Sequence, residues 1–166
     1  MADVFPLGTV TPNKKYHLIK QIIKFVINSN FYEKVSDDKV VLNKIKDIRS
    51  AGGDVSISFG GYNGVSLGHA CPDINSLVDA YQSVIDKYSL TNIDFDVENT
   101  NLGDVAGETK RFKAIKILKE RAKSKGKQLF VTLTLPSTTV GLSELGRAEI
   151  KRGVDDGAHI DLYKIM

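Results

Sequence analysis

Tryptophan is absent from the 166-residue sequence, and cysteine occurs once, at Cys71. A lone cysteine cannot close an internal disulfide. That fits a reducing compartment without excluding secretion. A nucleophilic role for Cys71 finds no support, because His69 nearby has no partner arrangement resembling a catalytic triad. No run is long and apolar enough to cross a membrane. The most apolar early segment, Leu18 to Ile27, is interrupted by Lys20, Gln21 and Lys24. The start, Met1 to Pro6, lacks the basic head, apolar middle and cleavage site of a signal peptide. The net charge is only +3, too small to point to a nucleic-acid partner. His17, His69 and His159 are far apart and show no ligand spacing, so no metal centre and no cofactor is expected.

What is present is an alternation of strand-like and helix-like runs. Asp3–Phe5 reads as a short strand, and Gln21–Ile27 contains a buried one. Lys39–Ser50 reads as a helix with Val41, Ile45 and Ile48 on one face, capped from Ser36 or Asp37 and ended by Gly52–Gly53. Asp54–Gly61 alternates Val55, Ile57 and Phe59 with Ser56 and Ser58, the pattern of a strand. Asp73 caps a helix in which Leu77, Tyr81, Val84, Ile85 and Tyr88 recur at helical spacing. Asn92–Glu98 is the next strand. Lys110–Lys125 is an amphipathic helix closed by Gly126, with its many basic residues on the solvent face. Leu129–Leu135 is a strand stopped by Pro136, Ser143–Val154 a helix, and Ile160–Met166 a final strand. Strand–helix repetition means a parallel sheet with helices outside. Periodicity does not choose between a doubly wound sheet and a (β/α) barrel.

Asp94, Asp96 and Glu98 sit at i, i+2 and i+4, so in a strand all three point to one side. Ile93, Phe95 and Val97 point to the other. Both faces of a parallel sheet are normally buried, and burying an unpaired carboxylate is costly. Like charges this close cannot all ionise, so at least one pKa is expected to rise. A carboxyl protonated near neutral pH is what general-acid catalysis needs. Glu98 is the longest of the three and nearest the strand's C-terminal end, so it is the candidate acid. Two other readings stay open at this point: a divalent-cation site, and an edge strand with its acids in solvent.

Ile93-Asp94-Phe95-Asp96-Val97-Glu98 resembles the core of the D-x-x-D-x-D-x-E signature of glycoside hydrolase family 18, the chitinases. Ser56 to Gly61 resembles that family's S-x-G-G motif at the end of strand three. Ala51-Gly52-Gly53-Asp54-Val55 is similar to the lead-in of bacterial-type members. Leu133 to Pro136 with Gly141-Leu142 is similar to their strand five, and Asp161 to Met166 to the start of strand six. The resemblance covers nearly the whole chain, most securely residues 39–166. It implies an α/β fold, the (β/α)8 TIM barrel, with about six of eight strands within one partial catalytic domain, 1–166.

The resemblance also implies roles. Glu98 would protonate the glycosidic oxygen, Asp96 would orient the substrate's acetamido group, and Asp94 would tune both. Ser58, Gly60, Gly61 and Met166 would help bind substrate. The implied activity is substrate-assisted, retaining hydrolysis of β-1,4 bonds between N-acetylglucosamine units. The implied partners are chitin or N-acetylglucosamine oligosaccharides, with no nucleic acid and no membrane, and secretion is the family's habit. Thr91 and Asn92 depart from the signature's first Asp and Gly, and Val97 stands where Trp or Ile is commoner. The chain stops at Met166 within a strand, so a truncated form is expected. It lacks the family's strand-eight Trp, and its open barrel edges could pair with a second copy. A sugar-binding module without catalysis and an endo-β-N-acetylglucosaminidase are the alternatives. Tyr62 and Asn63 lie on the loop after the glycine pair.

Overall fold

The computed structural model describes residues 24–27, 39–63 and 65–166. The short strand expected at Asp3–Phe5 and the caps expected at Ser36 and Asp37 lie outside them. The main sheet holds β1 (Lys24–Ile27), β2 (Ser56–Gly60), β3 (Asn92–Asp96), β4 (Phe130–Leu135) and β7 (Leu162–Ile165), in the order β1-β2-β3-β4-β7. Every neighbouring pair is parallel. A doubly wound sheet reverses its strand order at a switch point. This sheet runs in chain order throughout, as a (β/α) barrel wall does. A two-stranded antiparallel ribbon, β5 (Ser137–Thr138) with β6 (Gly141–Leu142), interrupts the β4 to β7 connection.

The helices are α1 (Lys39–Ser50), α2 (Leu67–Ala70), α3 (Ile74–Tyr88), α4 (Val105–Ser124) and α5 (Glu144–Asp155). Their ends follow from local chemistry. Asp73 caps α3 by accepting from Ser76 N at 2.8 Å, and Ser143 caps α5 by accepting from Gly146 N at 3.1 Å. α4 begins five residues before the expected Lys110, because Asp104 accepts from Gly107 N at 3.1 Å and starts the helix there. β3 ends at Asp96 rather than at Glu98, although Val97 N still donates to Thr134 O at 3.0 Å.

β2, β3 and β4 each offer one apolar face to the helices. Ile57, Ile93 and Val131 lie in one row across the sheet, with Phe95 and Leu133 paired in the next. All are almost fully buried against Leu77, Tyr81, Phe112, Ile115 and Leu118 of α3 and α4. Phe59, Tyr81 and Phe95 form a ring cluster with centroids 4.7–5.5 Å apart. Each such side chain contributes roughly 1.5–3 kcal/mol by leaving water, so this layer anchors the sheet. The opposite face carries Ser58, Asp94, Thr132, Asp96 and Thr134, all buried as well. β7 differs, since all four of its residues are exposed.

α4 and α5 are joined by a buried ionic cluster. Arg111 pairs with Glu149, and Arg152 Nε donates to Glu108 Oε2 at 2.7 Å. Arg111 is 3% exposed, which corrects the expectation that every basic residue of this helix faces solvent.

Candidate active site

Three neighbouring strands build the polar face, and the carboxylates come from the middle one. Asp94 is 2% exposed and Asp96 5%, which rules out the solvated-edge reading. Register places Ser58 of β2 beside Asp94, and Thr134 of β4 beside Asp96. The Ser58 hydroxyl donates to Asp94 Oδ2 at 2.5 Å, and the Thr134 hydroxyl donates to Asp94 Oδ1 at 2.7 Å. Both oxygens of Asp94 thus accept a hydrogen bond from a neutral donor, which offsets the cost of burying the group. Oxygens that already face hydroxyl protons are less available to a cation. Among the described residues no group of three His, Cys, Asp or Glu converges as a metal site.

Asp96 is held from its backbone. Its carbonyl accepts from Gly61 N at 2.8 Å. Gly60 has φ +114°, and a Cβ there would meet Asp96 O at 2.1 Å. The glycine pair therefore lets β2 pass against the backbone of the acidic strand, where any side chain would push the two apart.

Glu98 lies two residues past the end of β3 with φ −132° and ψ 165°. That extended backbone preserves the alternation, so Glu98 continues the Asp94 and Asp96 row. It is half-buried, unlike the two aspartates. The chain then turns at once: Asn99 has φ 52°, and Asn101 N donates to Glu98 O at 3.1 Å. Glu98 is thus the member of the row that stands at the mouth, at the C-terminal strand ends where barrel sites form.

The loop after Glu98 is tied down on two sides. Asn101 Oδ1 accepts from Ser66 N at 3.0 Å, and Glu108 Oε1 accepts from Gly103 N at 2.7 Å. His69 Nδ1 lies 3.1 Å from Asp104 Oδ2. This contact links the β2–α3 loop to the start of α4, a partner for His69 that sequence spacing did not suggest. His69 and the Gly107 carbonyl at a short approach to Gly68 show how closely α2 sits on α4. Burial pushes the Cys71 thiol up, the opposite of an activated nucleophile.

Of the expected substrate contacts, Ser58 is used inside the wall, and Gly60 and Gly61 shape the backbone. Met166 is 51% exposed, and its N donates to Leu135 O at 3.0 Å while its O accepts from Ser137 N at 2.7 Å. It therefore stands at the same strand-end level on the far side of β4. Tyr62 is 64% exposed. Sequence reading missed Thr134. Its signal was the Leu133-Thr134-Leu135 alternation, which puts a hydroxyl on the carboxylate face.

No family profile matches the chain. Two curated relatives do. A probable bifunctional chitinase/lysozyme of Escherichia coli (strain K12) is 38% identical over 124 residues, 75% of this chain and 14% of that protein. Endochitinase 11 of Metarhizium anisopliae is 36% identical over 124 residues, 75% of this chain and 24% of that protein. The chain thus spans under a quarter of the length of either relative. Among solved structures, the catalytic domain of a hyperthermophilic chitinase from Pyrococcus furiosus superposes with TM-score 0.66 at 28% identity, covering 75% of this chain and 39% of that one. Active domain 2 of chitinase from the same organism, as catalytic-site mutants, gives TM-score 0.71 at 24% identity over 86% of this chain and 48% of that one. A GH18 chitinase from Pseudoalteromonas aurantia shares the fold, with TM-score 0.54 at 18% identity over 77% of this chain and 48% of that one.

Proposed function

We propose that this chain carries part of a glycoside hydrolase family 18 catalytic domain and supplies the acidic strand of a chitinase. Glu98 donates its proton to the glycosidic oxygen as the bond from that oxygen to the anomeric carbon breaks. The substrate's own acetamido oxygen attacks the same carbon, so no enzyme carboxylate forms a covalent bond. Asp96 orients the acetamido group and balances the positive oxazolinium ring that results. Water then opens the ring, giving its proton to Glu98 and restoring the acid with retained configuration. Asp94, gripped by Ser58 and Thr134, stays an acceptor and fixes the electrostatics beneath Asp96.

The observation that carries this reading is the graded row of three carboxylates on a central strand. Two are buried, one stands at the mouth, and the deepest is satisfied by hydroxyls from both neighbouring strands. Carboxylates gathered on one buried strand face suit acid–base work and are disfavoured by simple stability. The substrates are chitin or its oligosaccharides, with Gly60, Gly61 and Met166 near the sugar. Pairing of the exposed β7 with a second copy is part of the same reading. Sedimentation should show a dimer, and a monomer at all concentrations removes that part.

Hydrolysis of chitotriose by the chain and by Glu98→Gln tests the catalytic assignment. Loss of about 10²–10⁴-fold in rate is expected. Equal rates remove Glu98 as the acid. Chitotriose binding with no turnover in either protein supports the sugar-binding alternative instead.

A further inference from the structure

The N-terminal ends of β3 and β4 frame a groove of about 1060 Å³, at the opposite end of the sheet from Glu98. It runs between the last turns of α3 and α4. Its lining holds five cationic side chains, Lys119, Arg121, Lys123, Lys125 and Lys127, against two acidic ones, Asp86 and Asp161. That excess of three positive charges is as large as the net charge of the whole chain, +3.

Two of the five cations are engaged. Lys119 Nζ donates to Asp161 Oδ2 at 2.5 Å and to His159 O at 2.5 Å. Arg121 Nη1 lies 3.4 Å from Asp79 Oδ1. Lys123, Lys125 and Lys127 make no ion pair with any described residue. Placement near the end of α4 lets Lys123 and Lys125 offset the helix dipole. That explains neither Lys127, which follows the Gly126 turn, nor Phe130 beside it. Phe130 opens β4 with 43% of its surface exposed, while Ile85, Leu90 and Leu129 form an apolar floor.

We propose that this groove docks an acidic polypeptide segment bearing an apolar side chain. Its carboxylates meet Lys123, Lys125 and Lys127, and its apolar group lies on Phe130. The combination decides the class of partner. A polyphosphate would use the lysines and leave Phe130 and the floor without a counterpart. A nucleic acid could stack on Phe130 but would leave the aliphatic floor of Ile85, Leu90 and Leu129 without a counterpart. A cationic glycan would be repelled. At about 1060 Å³ the groove has room for an extended segment. Nothing in this inference depends on the carboxylate row at the other end of the sheet.

The test is fluorescence polarisation of a short labelled peptide of alternating Glu and Leu, titrated with the whole chain at low and high salt. Labelled single-stranded DNA and polyphosphate are titrated in parallel. Saturable, salt-sensitive peptide binding is expected. Reversing Lys123, Lys125 and Lys127 to Glu together should weaken it by about tenfold, the effect of losing three exposed charge pairs. Phe130→Ser should weaken it several-fold at unchanged salt dependence. Glu98→Gln should leave it unchanged. Circular dichroism confirms that each variant is folded. No peptide binding at low salt overturns the proposal, as does binding indifferent to both the lysine and Phe130 changes. DNA or polyphosphate binding tighter than the peptide overturns the assignment of a polypeptide partner.

Discussion

Replacing Gly60 by Ala should damage the protein through two separable effects, and Gly141 provides the comparison. Gly60 and Gly141 have similar backbone angles, φ +114° and +108°. An L residue held in that region costs about 1–3 kcal/mol. At Gly141 a new Cβ meets nothing within 4 Å, so the backbone cost stands alone. At Gly60 the Cβ falls 2.1 Å from Asp96 O, well inside contact distance, and backbone atoms cannot swing away as a side chain can. Overpacking of this kind adds about 1–3 kcal/mol. Gly60→Ala should therefore be about 2 kcal/mol less stable than Gly141→Ala, which separates their melting temperatures by roughly 4–8 °C in a chain of this size. Thermal and urea denaturation of both variants measure this. Equal losses would show that β2 and β3 can part without cost, and would refute the view that the glycine pair sets the position of Asp96.

Other outcomes follow from the same geometry. Thr134→Val keeps the shape of the side chain but leaves Asp94 Oδ1 without its hydroxyl donor, so a loss of about 1–3 kcal/mol is expected by urea denaturation, largely recovered in Thr134→Ser. Glu149 is pushed up to about 8 by burial and by the carboxyl of Glu108, against the pull of Arg111. The folded chain then holds a proton that the unfolded chain releases near 4.5. This contribution is complete below about pH 4.5 and disappears as pH rises through about 8, with a slope of up to about 1.4 kcal/mol per pH unit. Denaturation midpoints should fall from pH 5 to pH 8 and flatten in Glu149→Gln. Asp104→Ala removes a helix cap and the contact to His69, and should cost about 1 kcal/mol.

Much of this layout is legible in the chain. Lys39–Ser50 appears as a helix with the bounds that periodicity sets, because its apolar face and its Gly52–Gly53 stop are both local signals. The acids at Asp94, Asp96 and Glu98 are legible because strand alternation fixes their common face. The early start of α4 is less so: Val105-Ala106-Gly107 carries no apolar stripe, and only the Asp104 cap marks it. Thr134 and the Arg111–Glu149 pair could not be found from spacing. Their roles arise from contacts between segments 40 and 38 residues apart. Barrel against doubly wound sheet was likewise undecided, since both share one periodicity and differ only in the order of strands.

The sharpest test of Glu98 as the proton donor compares two leaving groups on the same chitobiose unit. A methylumbelliferyl group needs a proton to leave well, whereas a dinitrophenyl group departs without one. Measured in the first turnover, before water opens the ring, Glu98→Gln should slow release of the first by about 10²–10⁴-fold and largely spare the second. An equal loss for both, or none for either, would contradict the assignment.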